Sequence, residues 1–440
     1  MARVAPKARK HLSADALFRL VHTGFDHIPA YRPADVDIAL SDVFMSAFAR
    51  FSRKAPALLA FDQERAEGHV PTIYGSQRVP CAPYRREILD PVSPKWLRPV
   101  FTSVLRQLQR GKALEPMTLL DGSYLLALDG TEYFSSKTIH CASCLHRVHR
   151  NGSITYTHQM LGAAIIPPDQ RAVIPLMPEP IGNRDGTAKN DCARNAAQRF
   201  VAKLRQEHPP LKCMVTADRL SSNAPHLETL QDDDLHSLLG GKEGDHASLF
   251  PQGQAAEHAG RVTWDERHDR AAGLVHRLRF LNDVPLKASN VEVRVHCIEY
   301  WERGQDKVQH FSWITALRVT TRHVFHLRRG GRARWKSENE TFNTLTNQGY
   351  HFEHNYGHGA QHLSVVLAVL MLLAFLVAQA QPLCCAWFRA VWRKLGSKRR
   401  LWERMRALFY TSALPSMRQL FEALLYGFKR SSPLVPTDSS

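Results

Sequence analysis

Acidic residues are in short supply in this chain. Its 440 residues include 41 aspartates and glutamates against 58 lysines and arginines, a net charge of +17. An imbalance of that size points to a polyanionic partner, either nucleic acid or an anionic membrane surface. The N-terminus lacks an apolar signal-peptide core, and the eight cysteines fall at irregular spacing. Both features argue against a secreted disulfide scaffold and for reduced thiols in the cytoplasm. A long hydrophobic run is also missing. The uninterrupted apolar stretch Val365 to Ala378 is shorter than the ~20 residues that cross a bilayer. With Gln361, His362 and Gln379 beside it, it reads as a buried helix, with a membrane span as the alternative. No internal repeat or low-complexity run is evident, and only the tail SSPLVPTDSS reads as disordered. What remains is an ordinary globular composition, 44% hydrophobic and 22% charged, long enough for two or three domains.

Periodicity divides the chain into five regions. Residues 1–120 read as helical: VFMSAFARFSRKAPALLAF (43–61) and WLRPVFTSVLRQLQRGKAL (96–114) carry apolar residues at three- and four-residue spacing, with basic residues on the other faces. Such faces fit DNA binding and equally fit a solvated surface. The intervening segment with Pro71, Pro80, Pro83 and Pro91 reads as linker and turn. Residues 121–259 switch to strands at 123–129, 154–166 and 172–181, a helix at 191–208, and a strand at 212–218. Residues 260–325 alternate with period two, as half-exposed antiparallel strands do. Residues 326–383 return to helix, and 384–440 form a basic helical region and tail. The predicted class is α/β: a mixed sheet flanked by helices, with a β-rich insertion and helical N- and C-terminal regions.

Within LLALDGTEYFSS the strand Tyr124–Leu128 is expected to end on Asp129. Asp-Gly is an ordinary turn signal, yet an unpaired buried carboxylate is costly and is normally paired, hydrogen-bonded or bound to a metal. KCMVTAD delivers a second aspartate, Asp218, in the same way. A helical template on RARWKSENETFNTL places Trp335, Glu338, Phe342 and Leu345 on one stripe, so that Glu338 faces the sheet and Glu340 faces solvent. Arg334, four residues earlier, can hold Glu338, which is also how a plain surface ion pair would look. Two strand-end aspartates and a helical glutamate on one sheet are what a two-Mg²⁺ phosphoryl-transfer site requires.

These residues resemble insertion-sequence transposases of the DDE class. ALDGT around Asp129, VTADRLSSNAP around Asp218, RWKSENETFNTL around Glu338 and the downstream NQGYHFEHNYGHG carry the resemblance, from about Leu40 to Ala380. It implies a ribonuclease-H-like catalytic fold and cut-and-paste DNA transposition, in which DNA is cleaved at the element's ends and the strands are transferred. Asp129, Asp218 and Glu338 would be the catalytic, metal-holding acids, with Mg²⁺ (Mn²⁺ can substitute) as cofactor. The partners would be double-stranded DNA, both element ends and target, held by a synaptic homodimer, with no membrane. Arg334, Arg219 and His354 are supporting or DNA-contacting candidates. The β-rich block matches an insertion found in hairpin-forming members, where an exposed tryptophan stacks on a flipped base. Trp301 and Trp313 are the candidates for that role, the alternative being core or edge aromatics. The chain departs from the family at two positions: His326, Leu327 or Arg328 occupies the place of an expected tyrosine, and Thr346 that of a lysine. Glu353 is the alternative third acid. A DNA-binding descendant that no longer cuts is the alternative function.

HCASCLHRVH supplies Cys141 and Cys144 with His146 and His149 nearby, a candidate Zn²⁺ set lacking a clear second ligand pair; only His158 offers itself. HNYGHG reads as a phosphate- or DNA-contacting loop or as a helix stop. The stretch 384–409 interleaves aromatics with Arg and Lys at helical spacing and reads as a DNA-backbone or dimer-contact helix, or as a membrane-surface helix.

Overall fold

The computed structural model describes residues 11–33, 36–54, 71–183, 191–218, 223–241, 249–287, 290–305, 307–412 and 414–428. The chain divides into two compact units, residues 114–372 and residues 1–113 with 373–440.

The 114–372 unit is mixed α/β. Its first sheet starts with a short strand β1 (Thr118–Leu120) that pairs antiparallel with the long β2 (Ser123–Ser136). β3 (Leu145–Val148) and β4 (Ile154–Ile165) form an antiparallel hairpin, and β4 pairs antiparallel with β2. Two short pieces, β5 (Ile174–Pro175) and β6 (Glu179–Ile181), replace the single strand expected over 172–181 and both pair with β4. β7 (Cys213–Thr216) and β8 (His236–Ser237) are parallel, so the order is β3-β4-β2-β7-β8. Leu125, Leu126, Ala127, Met214 and Val215 are fully buried along the central pair. A strand buried on both faces reads as a continuous apolar run rather than as an alternation, as LLAL and CMVT do.

The Ala193–Glu207 helix turns Ala196, Phe200, Val201 and Leu204 inward. Its outer turns are fastened to β6: Lys203 Nζ donates to both oxygens of the fully buried Glu179 at 2.8 Å, and Arg199 Nε donates at 3.2 Å. A carboxylate this deep is retained because two cations neutralise it.

After β8 the chain passes through Leu238 into β9 (Leu239–Gly240), which belongs to a second sheet. That sheet runs β10 (Thr263–Asp269), β11 (Leu274–Lys287), β12 (Asn290–Arg303), β13 (Val308–Thr315), β9, all antiparallel. Three more elements follow: the helix Val324–Ala333, a π-helical turn Ser337–Phe342, and the helix Asn343–Asn347.

The other unit is helical in every described element. Phe18, Phe25, Phe44, Phe48 and Tyr74 make stacked and edge-on ring pairs in its core. Asp15 accepts the backbone N–H groups of Met417 and Arg418, anchoring the first turn of Met417–Tyr426 where a carboxylate suits the helix dipole. Helices occupy Leu40–Arg53 and Arg98–Arg110, while residues 55–61 of the first predicted stretch lie outside the described residues. The proline-rich linker is partly helical, with Pro71–Tyr74 and Ala82–Leu89. Proline is tolerated in a first turn, where its missing N–H costs nothing. Gly396, at φ +76°, divides the expected 384–409 helix into Ala386–Leu395 and Lys398–Thr411. The tail 431–440 lies outside the described residues. The apolar helix Leu363–Cys384 has the length and hydropathy to cross a membrane and is 83% buried over its most apolar window.

Candidate active site and a Cys–His cluster

Asp129 does not end a strand. β2 continues to Ser136, because β4 pairs with it throughout: Asp129 opposes Gly162, Gly130 opposes Leu161 and Thr131 opposes Met160. The Asp-Gly dipeptide is strand, held by this ladder against its turn preference. What ends near Asp129 is the parallel partner. The last residues that pair β2 with β7 are Ala127 and Thr216. Asp129 lies two residues beyond the first and Asp218 two beyond the second, so the parallel register sets the two aspartates level on neighbouring strands. Both are half-buried.

Glu338 comes close enough to this edge to act on the Asp129 carboxyl. It lies in the π-helical turn, where the wider i→i+5 winding shifts the phase of side chains relative to an α-helix. The stripe expected of an α-helix is therefore not the buried one. Lys336, Ser337, Thr341, Thr344 and Leu345 are buried, while Trp335 is exposed and the Glu338 side chain is 55% exposed. Glu340, expected to face solvent, is half-buried. Arg334 Nη1 donates to Glu338 Oε1 at 3.0 Å. The Asp129 carboxyl is pushed up to about 6, first by burial and then by the negative charge of Glu338; Arg334 opposes this and Asp218 adds to it. Asp129, Asp218, Glu338 and Arg334 are thus electrostatically one group. Glu353 is exposed on the segment after this helix.

Two features that place Glu338 escaped the sequence reading. Lys336 is buried, and its Nζ donates to the carbonyls of Pro167, Pro168 and Gln170 at 2.6, 2.6 and 2.8 Å. This clasp ties the π-helical turn to the loop that follows β4, and Arg329 pairs with Asp169 of the same loop. Phe342 lies on β4 at Gly162, where a Cβ would collide with its ring. A glycine within a strand, as at Gly162 in LGAA, can signal such a close approach.

The second sheet alters the roles expected of its tryptophans. Trp313 is 5% exposed and packs against Gly331, so it is a core residue and no platform for a base. Trp301 is half-buried between Trp264 and His310, with ring centroids 5.6 and 4.8 Å away. Arg219 lies outside the described residues. His354 is exposed and set edge-on to Tyr356. In the helical unit, Trp387, Phe388, Trp402 and Phe409 face the core, so the aromatics of 384–409 are packing residues. Arg393, Lys394, Arg399, Arg400 and Arg404 are exposed.

The structure brings Cys141 and Cys144 together with His158 and His358, not with His146 and His149. His146 projects from the edge strand β3 and is exposed; His149 is turned toward Thr155 Oγ1, 2.8 Å away. Leu145 pairs with Thr157, which sets Cys144 beside His158 at the next step of the hairpin. His358 comes from the HNYGHG segment. The Cys141 thiol is pulled down by its hydrogen bond with Cys144 and by both histidines, and the Cys144 thiol is pushed up by its hydrogen bond with Cys141 and by burial.

No family model matches the chain, and no curated protein matches it. Among solved structures, a similar chain occurs in the cryo-EM structure of a piggyBac transposase synaptic complex with hairpin DNA. The two are 12% identical, the match covers 100% of this chain and 90% of that one, and the TM-score is 0.42.

Proposed function

We propose that this chain is a DNA transposase of the DDE class, which cleaves phosphodiester bonds at the ends of a mobile element and joins them to a target. One observation carries the reading: Asp129 and Asp218 are level on parallel strands, and Glu338 is close enough to raise the Asp129 carboxyl. Three antiparallel strands followed by two parallel ones, with the acids at the edge of the central pair, support a ribonuclease-H-like sheet.

The Asp129 carboxyl is held up to about 6 first by burial and then by the acids beside it, and a divalent cation would favour its charged form. The donor set is all oxygen, which suits Mg²⁺ or Mn²⁺. Asp129, Asp218 and Glu338 would hold it. Bound there, the metal supplies Lewis-acid stabilisation of the scissile phosphate and a more acidic attacking water or 3′ hydroxyl. Arg334 aims the Glu338 carboxylate by donating to Oε1. Lys336 and Phe342 fix the height of that carboxylate above the sheet. The exposed arginines of residues 393–404 offer a surface for the DNA backbone. Two ends must be brought together, so the working form is a dimer on double-stranded DNA.

The test is cleavage of DNA carrying the gene's own genomic flanks, in Mg²⁺, by the native protein and by Asp218→Asn. Discrete end cleavage by the native protein alone is expected. Binding without cleavage, in Mg²⁺ and in Mn²⁺, would replace this reading with that of an inactive DNA-binding descendant.

A further inference from the structure

We propose that Cys141, Cys144, His158 and His358 form a structural Zn²⁺ site that clamps the segment after the glutamate helix onto the edge of the sheet. The inference is independent of the acid site. All four ligand atoms lie within 4.8 Å of one another. A tetrahedral ion with bonds of about 2.3 Å to sulfur and about 2.05 Å to nitrogen has edges of about 3.8 Å between sulfurs and about 3.5–3.6 Å between sulfur and nitrogen. The observed separations are 3.8 Å for Cys141 Sγ to Cys144 Sγ, 3.5 Å for Cys141 Sγ to His158 Nε2, and 3.6 Å for Cys144 Sγ to both His158 Nε2 and His358 Nε2. Four of the six edges thus match those of the coordination tetrahedron, and the other two, from His358 to Cys141 and to His158, are no longer than 4.8 Å.

The turn is built for thiolate ligands. Cys144 N–H donates to the Cys141 carbonyl at 3.1 Å, closing the loop, and Cys141 N–H points at Cys144 Sγ at 3.4 Å, where it stabilises negative charge on sulfur. Two thiolates and two imidazoles in a tetrahedron select Zn²⁺ over the hard, oxygen-seeking Mg²⁺. No fifth ligand or open face is needed, which is the pattern of structural rather than catalytic zinc.

Three ligands come from one hairpin, and the fourth lies 214 residues beyond Cys144. The ion therefore closes a loop that contains the whole second sheet and the glutamate helix. The His358 ring lies tilted against Phe134 at 4.6 Å and against His158 at 4.9 Å. Upstream in the same segment, Phe352 packs on Tyr133 at 5.5 Å and on Phe342 at 6.3 Å, and Phe342 is the residue seated on Gly162. His358 is a positioning residue in this scheme: it holds the strap that holds Phe342.

The experiment is metal analysis of the purified full chain together with Co²⁺ substitution. One zinc per chain is expected, and Co²⁺ should give intense visible bands with thiolate-to-cobalt charge transfer in the near ultraviolet. Cys144→Ser and His358→Gln should lose the zinc, and His149→Ala and Asp218→Asn should keep it. Because a ligand variant can fail to fold, chelator titration of the native protein is run alongside. Zinc release should be accompanied by faster hydrogen exchange in 350–362 and 337–347. Absence of zinc with no thiolate–cobalt spectrum overturns the proposal. So does an intact mass two hydrogens low with Cys141 joined to Cys144. Retention of zinc by a protein that does not cleave DNA would overturn the transposase reading alone.

Discussion

Asp129 and Gly162 stand directly opposite each other across the β2–β4 ladder, and the ring of Phe342 occupies the space a side chain at Gly162 would fill. The glutamate-bearing segment thus rests on the sheet at the very rung that carries the first acid. Gly162→Ala is expected to lift Phe342 and destabilise the protein by ~1–3 kcal/mol, the usual cost of overpacking. Cleavage should fall by more than stability does, because Glu338 moves with Phe342. Denaturant melts beside a cleavage assay separate the two. Unchanged stability would mean that Phe342 does not sit on the glycine.

The raised Asp129 carboxyl has a pH consequence that can be read without substrate. Its folded-state value, about 6, lies above the ordinary 3.8, so the folded protein holds this proton more tightly than the unfolded chain does. Stability from this group is therefore greatest below 3.8 and is lost as pH rises to about 6, with no further change above. Asp129→Asn removes the cost of ionising the group. Without added divalent cation it should be more stable than the native protein near neutrality, by roughly 1–3 kcal/mol, and inactive. Thermal melts across that pH interval would decide it: a variant no more stable than the native protein at neutral pH removes the electrostatic conflict from the site.

Lys336 is the least conventional part of the support. Replacing it with Met keeps the length of the chain and its apolar packing but leaves three loop carbonyls without their shared donor. A loss of ~1–3 kcal/mol is expected from the unsatisfied acceptors, offset in part because the buried cation no longer needs desolvating. The diagnostic readout is proteolysis or hydrogen exchange in residues 166–171, which should open locally. Protection equal to the native protein's would show the clasp to be dispensable.

Some of this site was legible in the sequence, and the limits are physical. Two apolar strands that each run into an aspartate could be seen locally, as could the spacing of Arg334 and Glu338. The extent of β2 could not, because Asp-Gly favours a turn in isolation and only pairing with β4 overrides it. The burial of Lys336 and the exposure of Trp335 are not legible, because a π-helical turn breaks the 3.6-residue period on which the helical template over RARWKSENETFNTL relies. The Cys–His cluster was half-legible: Cys141, Cys144 and His158 are near in sequence, but nothing local in HNYGHG says that His358 returns to β4. Proximity in sequence favoured His146 and His149, and strand geometry removes them.

Trp335, which follows Arg334 in the chain, is 45% exposed, whereas Trp313 is 5% exposed in the core. The two should respond in opposite ways to truncation. Trp313→Ala empties a packed site against Gly331 and is expected to cost ~3–5 kcal/mol of stability. Trp335→Ala should change stability by no more than about 0.5 kcal/mol, as surface substitutions do. If the proposed DNA site is correct, Trp335 is placed to stack on an unpaired base at the cleaved end, and its removal should weaken binding of a frayed or flapped DNA end by ~1–3 kcal/mol. Fully paired DNA lacking such a base should bind the variant and the native protein alike. Equal affinity for both substrates would leave Trp335 as a surface residue, and half-buried Trp301, between Trp264 and His310, as the remaining aromatic to test.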